Sequence, residues 1–428
     1  MVCAVLFIVL IIALVVNVPV GIAIGVSSLA AVLADGRLSS TYIVQQLVTS
    51  ADSFPLMAIP LFILAGELMS AGGVSKRILN VCNVFFGRIT GGLAIVTVIV
   101  CMFFAAVSGS GPATVAAVGS MVVPTMLEKG YSKSFTLALI ATAGSIGVVI
   151  PPSIPMVIYG VSTSTSISGM FMAGFLPGIL IGIGLIICCY FYCKKQGWKG
   201  DDRRYTAKEK LAAIWDAKWA LINPVIILGG IYSGIFTPTE AAAVSAVYGL
   251  IIGIFVYKKI RLADMAEMIV NSGSQTGVVM YVIIAASLFA WVISVDGIAT
   301  DIGNWLMNVT NGNLWAFLLI TNIILLVAGC VMDATSALYI FIPILLPVAT
   351  AMGYDTVAFG IVMCVNLAIG LVTPPVGVNL FTACSISKIT IKDMIHDVIP
   401  IICALLVVLL LVTYLPQISM ALPHLLGQ

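Results

Sequence analysis

Thr142–Pro155 reads TAGSIGVVIPPSIP, and Val365–Val378 reads VNLAIGLVTPPVGV. In both, an apolar helical stretch runs into a Pro-Pro pair. Two consecutive prolines remove two backbone donors and clash with the preceding turn, so each helix is expected to unwind there. Irregular backbone at membrane depth is tolerated only where it is buried in protein or lines a cavity. Its freed carbonyls can replace a cation's hydration shell, while helix N-termini favour anionic groups.

The two stretches belong to a longer repeat with a constant offset of 223 residues. Pro124 falls on Pro347, Gly130-Tyr131 on Gly353-Tyr354, and Ile146-Gly147 on Ile369-Gly370. Val149 falls on Val372, Pro151-Pro152 on Pro374-Pro375, Ser162 and Ser164 on Ser385 and Ser387, and Pro177 on Pro400. From Ser110 and Asp333 onward no gap is needed. Chance matches in an apolar chain fall on Val, Ile and Leu, not on a collinear set of Pro, Gly and Tyr. Charge gives the direction of the copies. Glu128–Lys133 carries two lysines and its counterpart Ala351–Thr356 only Asp355, whereas Ser162–Ser168 is uncharged and the matching Ser385–Asp393 carries Lys388 and Lys392. Basic loops swap ends, so the copies are expected to face opposite sides. Inverted repeats of this kind typify secondary transporters, with solute and ion sites at the repeat interface.

Ahead of each broken helix stands a pair of short apolar arms. Gly92–Val107 and Ala113–Leu127 flank Ser108-Gly109-Ser110-Gly111-Pro112, and Leu314–Val331 and Ser336–Thr350 flank Met332-Asp333-Ala334-Thr335. At about 15 residues, the arms of the first pair fall short of the roughly 20 that a span needs. Each pair is therefore expected to form a re-entrant hairpin, the two entering from opposite faces.

Composition sets the wider class. The 428 residues are 61% hydrophobic and 8% charged, with mean hydropathy +1.19. Soluble domains carry about 25% charged residues. The chain reads as an all-α polytopic membrane protein with on the order of ten or more apolar segments. A net charge of +2 gives no sign of a nucleic-acid partner. Val2–Val16 lacks a basic n-region and leads through Asn17-Val18-Pro19 into more apolar sequence, so it is not expected to be a removable signal. The ten cysteines contain no CxxC pair, and no metal or disulfide framework is expected.

Lys194–Lys218 is the one long polar stretch, with Lys194, Lys195, Lys199, Arg203, Arg204, Lys208 and Lys210. The positive-inside rule makes the loop 194–220 cytoplasmic. Within it, Ala207–Ala220 sets Leu211, Ile214, Trp215 and Trp219 among lysines, as in an interfacial amphipathic helix. Lys258-Lys259-Ile260-Arg261 is read as a second inside turn, making Leu221–Phe236 and Ala241–Tyr257 a hairpin between the halves. The expected organisation is scaffold helices over 1–87, a first repeat core over 88–193, the interfacial helix and connecting hairpin over 194–263, further scaffold over 264–313, and a second core over 314–428.

Asp333 occupies the second tip, opposite Ser110. A carboxylate at membrane depth is costly and usually functional, although Asp also caps helices. Ser108, Ser110, Ser153, Thr335, Asn366, Thr373 and Asn379 can bind ions or solute, or hold helices together. Thr237-Pro238-Thr239-Glu240 reads as a capping box, which gives Glu240 a structural task. Glu67 shows no partner and no role. An intramembrane serine enzyme is disfavoured because His396 and His424, the two histidines, lie outside the apolar segments. No phosphate-binding glycine-lysine loop is present. Inverted hairpins and broken helices favour a carrier over a permanent pore.

The segment Gly229–Ala243, GGIYSGIFTPTEAAA, resembles the signature of the large membrane subunit of TRAP transporters, the DctM-like family. Asn17-Val18-Pro19-Val20-Gly21, Pro55–Glu67, Ser108–Pro112 and both Pro-Pro breaks match that family too. The resemblance implies a sodium-driven importer of organic acids in a bacterial inner membrane, working by an elevator motion. It implies two partners, an extracytoplasmic solute-binding protein and a small membrane subunit of about four helices, the latter expected as a separate chain. Sodium ions serve as coupling ions, and no other cofactor is implied. They are expected at Ser108, Gly144, Ser145, Val149 and Pro152 in one cluster, and at Gly329, Thr335, Asn366, Gly370, Thr373 and Pro375 in the other. Solute is expected between them, near Ser110, Ser153, Asp333 and Asn379. Sialic acid is slightly preferred over a C4-dicarboxylate. A stand-alone ion-coupled carboxylate carrier of a related inverted-repeat family is the alternative.

Overall fold

The computed structural model describes residues 2–16, 18–36 and 40–427, so Asn17 of the early Pro motif lies outside the described residues. All regular elements among these are helical. The first series is α1 (Val2–Val15), α2 (Val20–Asp35), α3 (Ser40–Ala51), α4 (Ala58–Ala71), α5 (Val74–Phe86), α6 (Gly92–Ser108), α7 (Gly111–Glu128), α8 (Lys133–Gly144), α9 (Ile154–Thr163) and α10 (Ile167–Gln196). The second is α11 (Ala207–Tyr232), α12 (Pro238–Ile251), α13 (Met265–Val295), α14 (Ile298–Thr310), α15 (Leu314–Val331), α16 (Ala334–Ala351), α17 (Thr356–Gly370), α18 (Val378–Ser387) and α19 (Ile391–Tyr414). A last helix, α20 (Gln417–Leu425), packs on α10.

The repeat is visible element by element. The offset that aligns the prolines carries both ends of α7 onto those of α16, and Lys133 at the start of α8 onto Thr356 at the start of α17. It also reaches further back than the sequence markers. α5 falls on α14, and α3 with α4 falls on the single long helix α13. Packing follows the same symmetry, since α12 lies on α4 as α2 lies on α13. The α11–α12 pair, expected as a connector, thus occupies in the second half the place of α1–α2 in the first.

Each broken helix runs between the two hairpins. α8 packs beside α7, whereas α9, past the break, packs beside α16. Conversely α17 lies against α15 and α16, and α18 against α7. The hairpins α6–α7 and α15–α16 therefore approach from opposite ends and meet tip to tip at the level of the breaks. Tyr159 of α9 secures one crossing by donating to the Thr356 carbonyl at 2.7 Å.

Two expectations need correction. The arms of the first pair are longer than about 15 residues: α6 has 17 and α7 has 18, the length of α15 and α16 in the second pair. Helix formation continues to Ser108 and restarts at Gly111, leaving only Gly109 and Ser110 at the turn. Eight helical segments among the described residues are long and apolar enough to cross a membrane, α15 and α16 among them. Arm length alone therefore does not mark a hairpin as re-entrant. Secondly, the interfacial helix and the following span are one helix of 26 residues, α11. It opens on a capping box between Thr206 and Glu209, and Pro224, the proline within it, is accommodated inside.

The Gly229–Ala243 signature forms the α11–α12 turn. Gly230 presses on Phe236, whose ring would stand 2.3 Å from a Cβ there, and Gly234 takes a positive φ of 74°. Thr237 caps α12 with Glu240 accepting from its N–H at 2.8 Å, so Glu240 is the structural carboxylate that the spacing indicates.

Candidate solute and ion site

Both tips and both breaks line one cavity of about 290 Å³, closed on its far side by Val278, Val279 and Val282 of α13. Its wall is made of helix ends. Gly111 and Pro112 begin α7, Ile154 and Pro155 begin α9, Ala334 and Thr335 begin α16, and Val378 begins α18. Four helix N-termini thus converge, each carrying roughly half a positive charge from its unpaired N–H groups. Val148 and Leu371, also in the wall, follow the C-terminal ends of the arriving helices, where carbonyls lack helical partners. Among the described residues, Asp333 is the one charged residue lining it.

Each hairpin is bonded near its tip to the break of its own repeat. The Ile154 N–H donates to the Gly109 carbonyl at 3.2 Å, and the Gly377 N–H donates to the Cys330 carbonyl at 3.4 Å. Ile154 and Gly377 are equivalent in the repeat. Glycines allow the approach: a Cβ on Gly147 would lie 2.6 Å from the Ser110 carbonyl oxygen, and one on Gly370 2.5 Å from Gly329 Cα. Both Pro-Pro bonds are cis.

The first tip gathers oxygens. Ser108 Oγ and Thr114 Oγ1 are 2.9 Å apart, and Thr114 Oγ1 donates to the Ser110 carbonyl at 2.8 Å. Asn379, fully buried, reaches this tip from the other repeat. Its Nδ2 donates to the Ala141 carbonyl at 3.2 Å, while its Oδ1 accepts nothing among the described residues. An orphan buried acceptor is uncommon and calls for an explanation such as an ion or water. Ser153 is also buried and caps α9, its hydroxyl donating to the Val148 carbonyl at 2.5 Å. Ser145 turns its hydroxyl back to the Thr142 carbonyl, and Gly144, Val149 and Pro152 build the buried wall of the first break.

At the second tip, Asp333 caps α16: Oδ2 accepts from the Ser336 N–H at 3.1 Å and Oδ1 from the Ser336 hydroxyl at 2.5 Å. Thr335 lines the cavity, Thr373 donates to the Ile369 carbonyl, and Pro375 is exposed where Pro152 is buried. Asn366 lines neither this cavity nor its neighbour. Its Nδ2 donates to Asn322 Oδ1 at 2.7 Å, and Asn322 in turn bonds Thr413, which ties α15, α17 and α19 together.

A neighbouring cavity of about 630 Å³ shares Ser110, Pro112, Ile154 and Val279 with the first. It follows α7 from Pro112 to Ser120, toward the basic Lys129 end, with α4 and α13 opposite. Glu67 and Gln275 line it. The sequence shows Glu67 without its setting, because only the fold brings α4 beside the first hairpin. Thr114 is missing from the expected set, although its place four residues after Ser110 on a helical face is a legible signal.

Among the described residues no cluster of His, Cys, Asp or Glu could hold a metal ion. Hydroxyls, carbonyls, the Asn379 amide oxygen and the Asp333 carboxylate are the oxygens on offer, a set of hard oxygen donors.

Residues 6–418 match the family described as the tripartite ATP-independent periplasmic transporter, DctM component. The chain is 48% identical over 395 residues to the isethionate TRAP transporter permease protein DctMQ of Oleidesulfovibrio alaskensis, covering 92% of this chain and 62% of that protein. It is 43% identical over 384 residues to the C4-dicarboxylate TRAP transporter large permease protein DctM of Pseudomonas aeruginosa, covering 89% of each. Identity to the sialic acid TRAP transporter large permease protein SiaM of Vibrio cholerae is 35%, over 93% of each. In fold it is similar to the YdaH transporter of Alcanivorax borkumensis, with TM-score 0.62, 14% identity and 90% of each chain covered. The relatives are named as permease components of transporters and not as enzymes, and the family match extends over nearly the whole chain: this chain is a multi-pass membrane protein and belongs to the DctM family of TRAP transporter large permease subunits.

Proposed function

We propose that the chain is the sodium-coupled permease subunit of a tripartite importer, carrying a small organic anion through the cavity between the tips. The convergence of four helix N-termini supports this most directly. It supplies positive potential for an anion where, among the described residues, no Lys or Arg lines the cavity. A solute anion about 4 Å from Asp333 would meet a repulsion of roughly 4 kcal/mol at an effective dielectric of 20. Cations bound beside it offset that cost, which couples solute to sodium. The oxygen group of Ser108, Ser110 and Thr114 and the orphan Asn379 Oδ1 suit one ion; Gly329, Thr335, Thr373 and the second break suit another.

The hairpins are read as re-entrant and as part of a unit that slides against α4 and α13, since both cavities lie on that boundary. The basic ends, including loop 194–220, are read as cytoplasmic in a bacterial inner membrane. A solute-binding protein outside and a small membrane subunit are the partners that the family implies. Similarity is higher to the relatives named for isethionate and C4-dicarboxylate than to the one named for sialic acid. A compact sulfonate or dicarboxylate is therefore favoured over the sialic acid that the sequence resemblance suggests.

Reconstitution tests this. The chain, with its small subunit and binding protein in liposomes, is expected to take up labelled isethionate or succinate only with an inward sodium gradient. Uptake that persists without sodium, or without the binding protein, overturns the reading.

A further inference from the structure

A third cleft, of about 500 Å³, lies at the basic end and shares no lining residue with the two cavities above. It is walled by α5 and α11 on one side and by α6 and α7 of the first hairpin on the other. Lys76, Arg77, Lys129 and Lys259 line it, against the single carboxylate of Asp216. Arg77 is held in place: Nη1 donates to the Gly73 carbonyl at 3.1 Å and the guanidinium stacks 3.6 Å from the Tyr257 ring centre. Its Nε stands 3.5 Å from Asp216 Oδ2, near enough for attraction, yet makes no hydrogen bond. Lys129 is engaged by Asp201 at 3.1 Å. Lys76 and Lys259 are exposed and have no ion-pair partner among the described residues. Among the described residues the cleft thus holds more positive than negative charge, with Lys76 and Lys259 in excess.

The surroundings point to the form of the missing anion. The two helices that wall the cleft also carry exposed apolar side chains: Phe85 and Phe86 on α5, and Leu211 at 67% and Trp215 at 69% exposure on α11. Lys210 reaches over the Phe85 ring and Lys218 lies 3.4 Å from the Trp215 ring centre, an arrangement suited to a membrane interface. A soluble anion needs the charges alone, whereas an amphiphile uses both the charges and the apolar flank. We infer that this cleft binds the phosphate headgroup of an anionic phospholipid, with its acyl chains lying along α5 and α11. Basic pockets between membrane helices on the cytoplasmic side suit such headgroups. Because the walls come from both the first hairpin and the elements beside it, bound lipid would bridge them.

The test uses the full chain purified in a neutral detergent and titrated separately with phosphatidylglycerol, phosphatidylcholine and inorganic phosphate. Thermal midpoint and lipid adducts in native mass spectra are the readouts. Phosphatidylglycerol is expected to raise the midpoint and leave a retained adduct, with no effect from phosphatidylcholine. The double variant Lys76→Gln/Lys259→Gln is expected to bind on the order of 30-fold more weakly, from two lost surface cations. Lys194→Gln/Lys195→Gln, on the same face outside the cleft, should bind as the wild type does. Equal losses in both double variants, or no loss in the first, would overturn the site. An increment reproduced in full by inorganic phosphate would overturn the lipid assignment. Adduct counts keep the comparison valid if a variant melts at a different temperature.

Discussion

Asp333 performs two tasks that one substitution can separate. As the cap of α16 it satisfies the Ser336 N–H, and as a cavity-lining carboxylate it sets local charge. Asn caps as well as Asp does, so Asp333→Asn is expected to leave the thermal midpoint nearly unchanged while raising the sodium concentration for half-maximal uptake several-fold. Unaltered sodium dependence would leave Asp333 only its cap. Glu67 lines the second cavity, which extends from the tips toward the basic end and which the proposed function makes the inward path. A carboxylate there repels an anion that has left the site. Glu67→Gln is accordingly expected to let lower internal solute concentrations halt uptake, and the difference should shrink with added salt because the Debye length falls to about 8 Å at 0.15 M. Equal inhibition of wild type and variant at low salt would count against it. Sequence made one of these residues legible and not the other. Asp333 was marked by its alignment with Ser110 at a turn, while Glu67 draws its meaning from a helix far away in the chain.

Elements meet here through missing side chains. Gly147 rests on the Ser110 carbonyl and on Thr114 Oγ1, and both are parts of a tip that cannot retreat without breaking its bond to the Pro-Pro segment. Overpacking of this kind costs about 1–3 kcal/mol, so Gly147→Ala is expected to lower the melting midpoint and abolish uptake. Gly229→Ala, where a Cβ meets nothing, should match the wild type in both assays. The outer end of the first hairpin is clasped by the loop after α10. The Asp201 N–H donates to the Gly87 carbonyl, and its carboxylate accepts from Lys129. That hydrogen bond, followed by one from the Arg203 N–H, holds the Asp201 carboxyl below its usual range. A lowered folded-state value means that the contribution is complete above about pH 3.9, the unfolded value, and is lost as pH falls through the folded one. Asp201→Asn should therefore lower the amide-exchange protection factors of residues 129–133 at pH 7, and acidification toward the folded value should lower them in the wild type but not further in the variant. A variant that still responded to acid would place the sensitivity elsewhere. The helical joins were the least legible features, since nothing in the sequence between Ala207 and Tyr232 signals whether an interfacial stretch and a span are separate or continuous.

At the scale of the whole molecule, the two halves are related through the tips, and the sequence revealed this wherever Pro, Gly or Tyr marked it. The relation of α3–α4 to α13 escaped because one copy is interrupted and the other is continuous, with no shared breaker to align. Symmetry has an electrical consequence. On the proposed function, the two related tip-and-break pairs would hold two cations around one anion, so a transported monoanion should carry a net positive charge inward and a dianion should not. Each such charge contributes about 2.3 kcal/mol per 100 mV of inside-negative potential, equivalent to roughly 50-fold in accumulation. Liposomes with potentials clamped by a potassium gradient and ionophore, at fixed sodium, allow the comparison. Isethionate uptake is expected to rise steeply with potential, and succinate uptake as a dianion to stay nearly flat. Equal voltage dependence for both would mean that ion number changes with the solute. A flat response to isethionate would mean that only one cation site is filled, and the pseudo-symmetry would then be structural without being functional.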